Sequence, residues 1–222
     1  MSALARHVAH GDVVWKLLKG VARYSYQTRA YGLEYKSRSL ELDAYVDASY
    51  ISEGVYSISG FIVRIGGNVI SWKSSKQKTV ALSSAESEIN AMTDCIKEVV
   101  WTKGLLEEIG VQVNQIVIKE DNQAAIAMAT NHVVNSRTRH IMAKMCYIRE
   151  TLINEGITLE YCETGEMIAD VLTKPLGRTL FKKFRTAMGV MDIHEGGALE
   201  SGDSGFMNNA DLTWNNSETL KQ

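Results

Sequence analysis

ALSSAESEINAMTDCIKEVVWTKGLLEEIGVQVNQIVIKED, Ala81 to Asp121, is the stretch on which the fold turns. Ser83 followed by Glu86 three residues later is a capping-box signature, so a helix starts there. Ala85, Glu88, Met92, Cys95 and Val99 recur at helical spacing, and Ile89, Ile96 and Val100 widen the stripe into a buried face. Gly110 is a natural stop. Ile116-Val117-Ile118 then reads as a short apolar strand that runs out at Asp121. Two acids are thereby singled out. Glu86 serves the helix end, near the polar side with Asn90, Thr93 and Lys97, whereas Glu88 lies on the edge of the apolar stripe, where a carboxylate needs a partner. A metal ion is one such partner, and a salt bridge is the plainer one. Asp121 sits at a strand end, and its plainer reading is a helix cap for DNQAAIAMATN, shared as a candidate with Asn122.

Upstream, Leu40, Leu42, Ala44 and Val46 alternate with Glu41, Asp43, Tyr45 and Asp47, the period of a strand with one buried face. Gly60–Ile65 is a second strand, Gly66-Gly67-Asn68 a hairpin turn and Val69–Trp72 a third strand, giving an antiparallel meander. A basic loop, Lys73 to Lys78, leads into the long helix. Downstream of Asp121 come a short helix, the loop HVVNSRTRHI, a helix from about Arg139 to Glu155, a strand Ile157–Tyr161, and a core helix GEMIADVLTK that carries Asp170 and stops near Pro175. TLFKKFRTAMGV reads as a peripheral helix. Strands that return after helices imply a mixed sheet, antiparallel first and parallel later, with helices on its faces. Asp47, Glu88, Asp121 and Asp170 then occupy comparable places on strand, helix, strand end and helix, the pattern of a metal-dependent acid cluster.

The composition narrows the setting. The chain has 222 residues, 45% of them hydrophobic, which suffices for a real core. Cys95, Cys146 and Cys162 are isolated, which argues against a disulfide framework or a zinc site and fits a reducing compartment. The opening MSALARHVAHGDVVW lacks the apolar run of a secretory signal, and no stretch reaches membrane-spanning length. Residues 12–24 place Val13, Val14, Leu17, Leu18 and Val21 on one face of a surface-packed amphipathic helix. The net charge is −2, yet residues 192–222 hold six acids and only Lys221 as a base. The remainder is mildly basic, compatible with a nucleic-acid partner. No periodicity survives past Asp192, as expected of a disordered or loosely attached tail.

AYVDAS, SISGFIVRIGGNVISWKSSKQKTVALSSAESEINA, KEDNQAAIAMA, NSRTRHI, YIRE and LEYCETGEMIADVLTKPL occur in that order. Together they resemble the ribonuclease H domain of copia-type LTR retrotransposon polyproteins, over about residues 10–190. Residues 12–36 resemble the end of the preceding reverse transcriptase, whose catalytic Tyr-x-Asp-Asp motif is absent. The resemblance implies an α/β ribonuclease H-like fold, with a mixed five-stranded sheet flanked by helices. It implies three segments: a reverse-transcriptase remnant at 1–38, a ribonuclease H-like domain at 39–191 and an acidic tail at 192–222. It also implies Mg2+-dependent hydrolysis of the RNA strand of RNA–DNA hybrids with two ions, Mn2+ being a possible substitute.

Carried over residue by residue, the metal-binding and catalytic acids fall on Asp47, Glu88, Asp121 and Asp170. The capping box selects Glu88 over Glu86 independently. Ser49 and Asn122 are candidates for contacts with 2′-hydroxyls. Lys73, Lys76, Lys78, Arg137 and Arg139 are candidates for phosphates, and His140 for substrate or a structural bond. Where the family often has a second acid and a tryptophan after the first aspartate, this chain has Ser49 and Tyr50, and Ala143 replaces an acid that commonly follows the His-Ile pair. The expected partners are the hybrid and the polymerase domain of a parent polyprotein, with no membrane, in the cytoplasm, a virus-like particle or the nucleus. The alternative is a catalytically silent domain that binds nucleic acid or a polymerase. An integrase of the same fold fits less well, because it lacks the last aspartate found here in ADVLTK.

Overall fold

A computed structural model describes residues 11–36, 39–113, 115–131 and 139–193. Its elements are α1 (Gly11–Gln27), β1 (Tyr31–Leu33), β2 (Leu42–Glu53), β3 (Tyr56–Ile65), β4 (Asn68–Lys76), α2 (Ser84–Glu108), β5 (Ile116–Glu120), α3 (Gln123–Thr130), α4 (Met142–Glu155), β6 (Ile157–Tyr161), α5 (Arg178–Ala187) and β7 (Val190–Asp192). The sheet has the order β4-β3-β2-β5-β6. β2, β3 and β4 pair antiparallel, and β5 and β6 add in parallel to β2. This is the mixed five-stranded architecture expected from the sequence. The β3–β4 hairpin closes through Gly66 and Gly67, both at positive φ (55° and 78°), and positive φ at both central residues is the two-residue turn that matches strand twist.

Each face of the sheet carries its own core. On one side Leu42, Ala44, Val46 and Ala48 of β2 and Ile116 and Ile118 of β5 pack against Ile89, Met92, Cys95, Ile96 and Val99 of α2 and Met145 and Ile148 of α4. On the other, Tyr45, Ile62 and Val69 pack against Met167, Ile168, Ala169 and Phe184. β2 is therefore buried on both faces, not on one as its alternation suggests, and Asp47 is fully buried. Phe184 makes α5 part of the second core, so the helix read as peripheral is a closing layer; burying such a side chain contributes about 1.5–3 kcal/mol.

Further differences stand out. The segment read as a core helix around Asp170 forms two 3₁₀ turns, Thr164–Glu166 and Ile168–Leu172. Lys174 precedes Pro175, which disfavours the helical region for Lys174 and limits extension. Arg139–Ile141 is likewise a 3₁₀ turn, and the α-helix begins at Met142. α1 forms as expected, but Leu17 and Leu18 stay exposed, so it is not packed as a surface helix would be. β1 pairs antiparallel with β7, Tyr31 opposite Asp192, tying the segment before the sheet to the one after α5. Residues 194–222 lie outside the described residues, so the expected tail is not addressed beyond Ile193.

Candidate functional site

Asp47 reaches its position because period two on β2 sends it to the face of Tyr45, toward the Ile168–Leu172 turn. That turn lies directly on β3. Gly60 is the register partner of Asp47, and a Cβ on it would stand 2.7 Å from Thr173 Cγ2 and 2.9 Å from Leu172 Cβ. Glycine is thus what lets the turn approach. Ser74 Oγ donates to Leu172 O at 2.6 Å and fastens the turn from β4. The turn brings Asp170, Thr173 and Lys174 to Asp47. The Thr173 hydroxyl donates to Asp47 Oδ2, and Lys174 Nζ donates to Asp47 Oδ1 (3.0 Å) and Asp170 Oδ1 (2.8 Å).

The other half of the cluster comes from the opposite face of the sheet. Glu88 projects from the first turns of α2, and Glu120 follows Ile116 and Ile118 on the period-two face of β5 that α2 covers. Asp121, one residue past the strand, joins the two halves. Carboxylate oxygens of Asp47, Asp121 and Asp170 lie within 4.8 Å of one another, as do those of Glu88, Glu120 and Asp121. Asp121 accepts from Thr164 Oγ1 at 3.0 Å and does not cap α3. That role belongs to Asn122, whose Oδ1 accepts from Ala125 N.

Three of these carboxylates, Glu88, Glu120 and Asp170, are harder to ionise than usual. Burial first, then Glu120, Asp47 and Asp121, pushes Glu88 up to about 11. Burial also raises Glu120 well above the usual carboxylate range. Asp170 is pushed up to about 6, burial outweighing its bond to Lys174, with Asp47 adding repulsion. Burial opposes the charge of Lys174, but its bonds to Asp170 and Asp47 hold it above the ordinary lysine value.

The donor set fits a hard divalent cation. It is all oxygen, and both Glu88 Oε2 and Glu120 Oε2 are buried with no hydrogen-bond partner. Carboxylate oxygens are what Mg2+ prefers, and such a cation would satisfy these orphaned atoms. Glu86 stays apart: its Oε2 accepts from Leu82 N (2.8 Å) and lies 2.9 Å from His140 Nε2, although its side chain is buried rather than on the polar side. His140 therefore holds the head of α2.

The remaining candidates are spread around this centre. Ser49 lies on β2 just beyond Asp47, and Asn122 is occupied as the α3 cap. Lys73 pairs with Asp94 at 3.3 Å, Lys76 lies over the Tyr56 ring, and Lys78 and Arg139 are exposed. Arg137 lies outside the described residues. Sequence reasoning missed Glu120, Thr173 and Lys174. For Glu120 the signal was present in the alternation of Ile116, Ile118 and Glu120; for Lys174 it was the i,i+4 spacing from Asp170.

No protein-family model matches the chain. A retrovirus-related Pol polyprotein from transposon RE2 of Arabidopsis thaliana is 36% identical over 82% of this chain and 13% of its own length. One from transposon TNT 1-94 of Nicotiana tabacum is 33% identical over 81% of this chain and 14% of its own. Among solved structures, LC11-RNase H1 in complex with an RNA/DNA hybrid covers 60% of this chain and 94% of its own at 11% identity, with a TM-score of 0.47. The chain is an α/β protein with a mixed five-stranded sheet and an acid cluster at its central strand ends. Its homologues are copia-type retrovirus-related Pol polyproteins, of whose length it spans about an eighth. Among the described residues no helix is long and apolar enough to cross a membrane.

Proposed function

We propose that this chain hydrolyses the RNA strand of RNA–DNA hybrids, with Asp47, Glu88, Asp121 and Asp170 holding two Mg2+ ions. The observation that carries the reading is the meeting of these acids in two carboxylate groups that share Asp121. Such ions would polarise the scissile phosphate and supply a water nucleophile at neutral pH. The protein's part is to hold the carboxylates. Thr173 and Thr164 orient Asp47 and Asp121 through their hydroxyls. Lys174 neutralises Asp47 and Asp170 while no cation is bound. Ser49 and Asn122 border the cluster and are candidates to read the 2′-hydroxyls that distinguish RNA from DNA. Lys73, Lys76, Lys78, Arg137 and Arg139 are the phosphate candidates, and phosphate contacts fix register without reading sequence.

The polyprotein setting of the homologues supports a polymerase domain as partner. So does the apolar face of α1, with Leu17 and Leu18 exposed. The test is cleavage of an end-labelled hybrid, compared with single-stranded RNA and with Asp47→Asn. Cleavage confined to the RNA strand of the hybrid, and lost in Asp47→Asn, is the expected result. Hybrid binding without cleavage points to the silent, nucleic-acid-binding alternative.

A further inference from the structure

We propose that Glu120 is a fifth cation-binding carboxylate, serving with Glu88 and Asp121 one half of the cluster while Asp47, Asp121 and Asp170 serve the other. The proposal rests on the metal-dependent reading above, but not on which nucleic acid is cleaved. Glu120 is fully buried, although it is an acid at the end of a strand. Its Oε1 accepts from Asn122 N at 3.0 Å, so one oxygen has an ordinary structural partner. Its Oε2 has none, and it is buried. Buried polar atoms are nearly always partnered, so this one calls for a missing group. The Oε2 of Glu88 is orphaned in the same way. Carboxylate oxygens of Glu88, Glu120 and Asp121 lie within 4.8 Å of one another.

A purely structural carboxylate has no reason to lie against two other acids, because like charges at this range repel. The backbone fixes the placement. Glu120 shares the covered face of β5 with Ile116 and Ile118, and the Asn122 N–H holds the near oxygen, so the far oxygen is positioned before a cation arrives. The chemical class is a small divalent cation that favours oxygen donors, Mg2+ or Mn2+. A further anionic ligand in this half of the site raises affinity there, so that half fills at lower cation concentration.

The test is Mn2+ binding to the full chain, without nucleic acid, by isothermal titration and by the loss of the free Mn2+ electron paramagnetic resonance signal. Glu120→Gln keeps the size and the Oε1 acceptor while removing the charge. The expected result is at least about a tenfold weaker Mn2+ dissociation constant, as even indirect supporting groups cost that much, with an unchanged or higher melting temperature in EDTA. Mn2+ affinity within twofold of the parent chain, with folding intact, overturns the proposal and leaves Glu120 as a support for Asn122. Should Glu120→Gln fail to fold, Glu120→Asp is measured in its place. It keeps the charge but draws the far oxygen back by one methylene, so weakened Mn2+ binding supports the proposal and unchanged binding overturns it. Normal Mn2+ loss in Glu120→Gln from a parent chain that cleaves no hybrid sinks the ribonuclease reading alone.

Discussion

Replacing Lys174 by methionine separates a plain ion pair from a cation surrogate. Lys174 Nζ lies 3.0 Å from Asp47 Oδ1 and 2.8 Å from Asp170 Oδ1, and both acids are almost wholly buried. Removing one partner of a buried pair costs about 3–5 kcal/mol. Two features lower that here. The lysine side chain is 33% exposed, so water already screens it. Asp170, pushed up to about 6, can also take a proton once the ammonium is gone. About 2–3 kcal/mol is then expected in EDTA near pH 8, which at about 2–4 °C per kcal/mol for a chain of this size is a melting temperature lower by roughly 4–12 °C. Near pH 5 the loss shrinks, because Asp170 accepts a proton in place of the ammonium. With saturating Mg2+ the deficit closes, and the Mg2+-induced rise is larger in Lys174→Met than in the parent. Differential scanning fluorimetry in EDTA and Mg2+ at both pH values measures all four quantities. An equal deficit with and without Mg2+ refutes the reasoning, because it means that no cation competes with Lys174 for these carboxylates.

Three further outcomes are expected. Gly60→Ala drives a Cβ against Thr173 and Leu172, so it should cost about 1–3 kcal/mol as overpacking and reduce hybrid cleavage more than its melting shift explains; unchanged melting and cleavage would show that the turn has room to move. Asp121→Asn should abolish cleavage yet melt at the same or a higher temperature in EDTA, since Asn122 and not Asp121 caps α3, and a fall of several degrees would count against that assignment. Glu88 and Asp170 are raised from 4.5 and 3.8 to about 11 and about 6, so the folded chain binds more protons than the unfolded one. Their contribution is fully present below pH 4 and is lost as pH rises, through about 6 for Asp170 and on toward 11 for Glu88. Mg2+ should therefore raise the melting temperature more at pH 8 than at pH 5, and the opposite order in a pH series would contradict the cause given for these shifts.

Local chemistry made much of this architecture legible. The capping box at Ser83, the glycine pair at 66–67 and the alternation of β2 and β3 are signals that neighbouring residues settle among themselves. Ser83 Oγ does accept from Glu86 N as the box requires, although Glu86 returns its bond to Leu82 N rather than to Ser83. What stayed hidden depends on distant partners. The burial of Asp47 follows from a turn more than a hundred residues away that only Gly60 admits. The β1–β7 pair joins segments from opposite ends of the described chain, and nothing in YGL or VMD announces the other. Asp170 sits on a 3₁₀ turn rather than an α-helix because its turn must lie flat on β3 while Ile168 and Ala169 fill the second core. In the sequence Glu120 is an acid at a strand end, the place where a strand ordinarily meets water, yet it is fully buried. Its burial beside Glu88 of α2 depends on packing between distant elements.

The central claim is that the carboxylates around Asp121 bind divalent cations and cut the RNA strand of a hybrid. The most direct measurement is incubation of the purified chain with a hybrid labelled separately on each strand, in Mg2+ and in EDTA, beside Asp121→Asn. The account predicts fragments from the RNA strand alone, in Mg2+ alone and from the parent chain alone. RNA cleavage that persists in EDTA or in Asp121→Asn, or an intact hybrid at saturating Mg2+ with a folded protein, would contradict it.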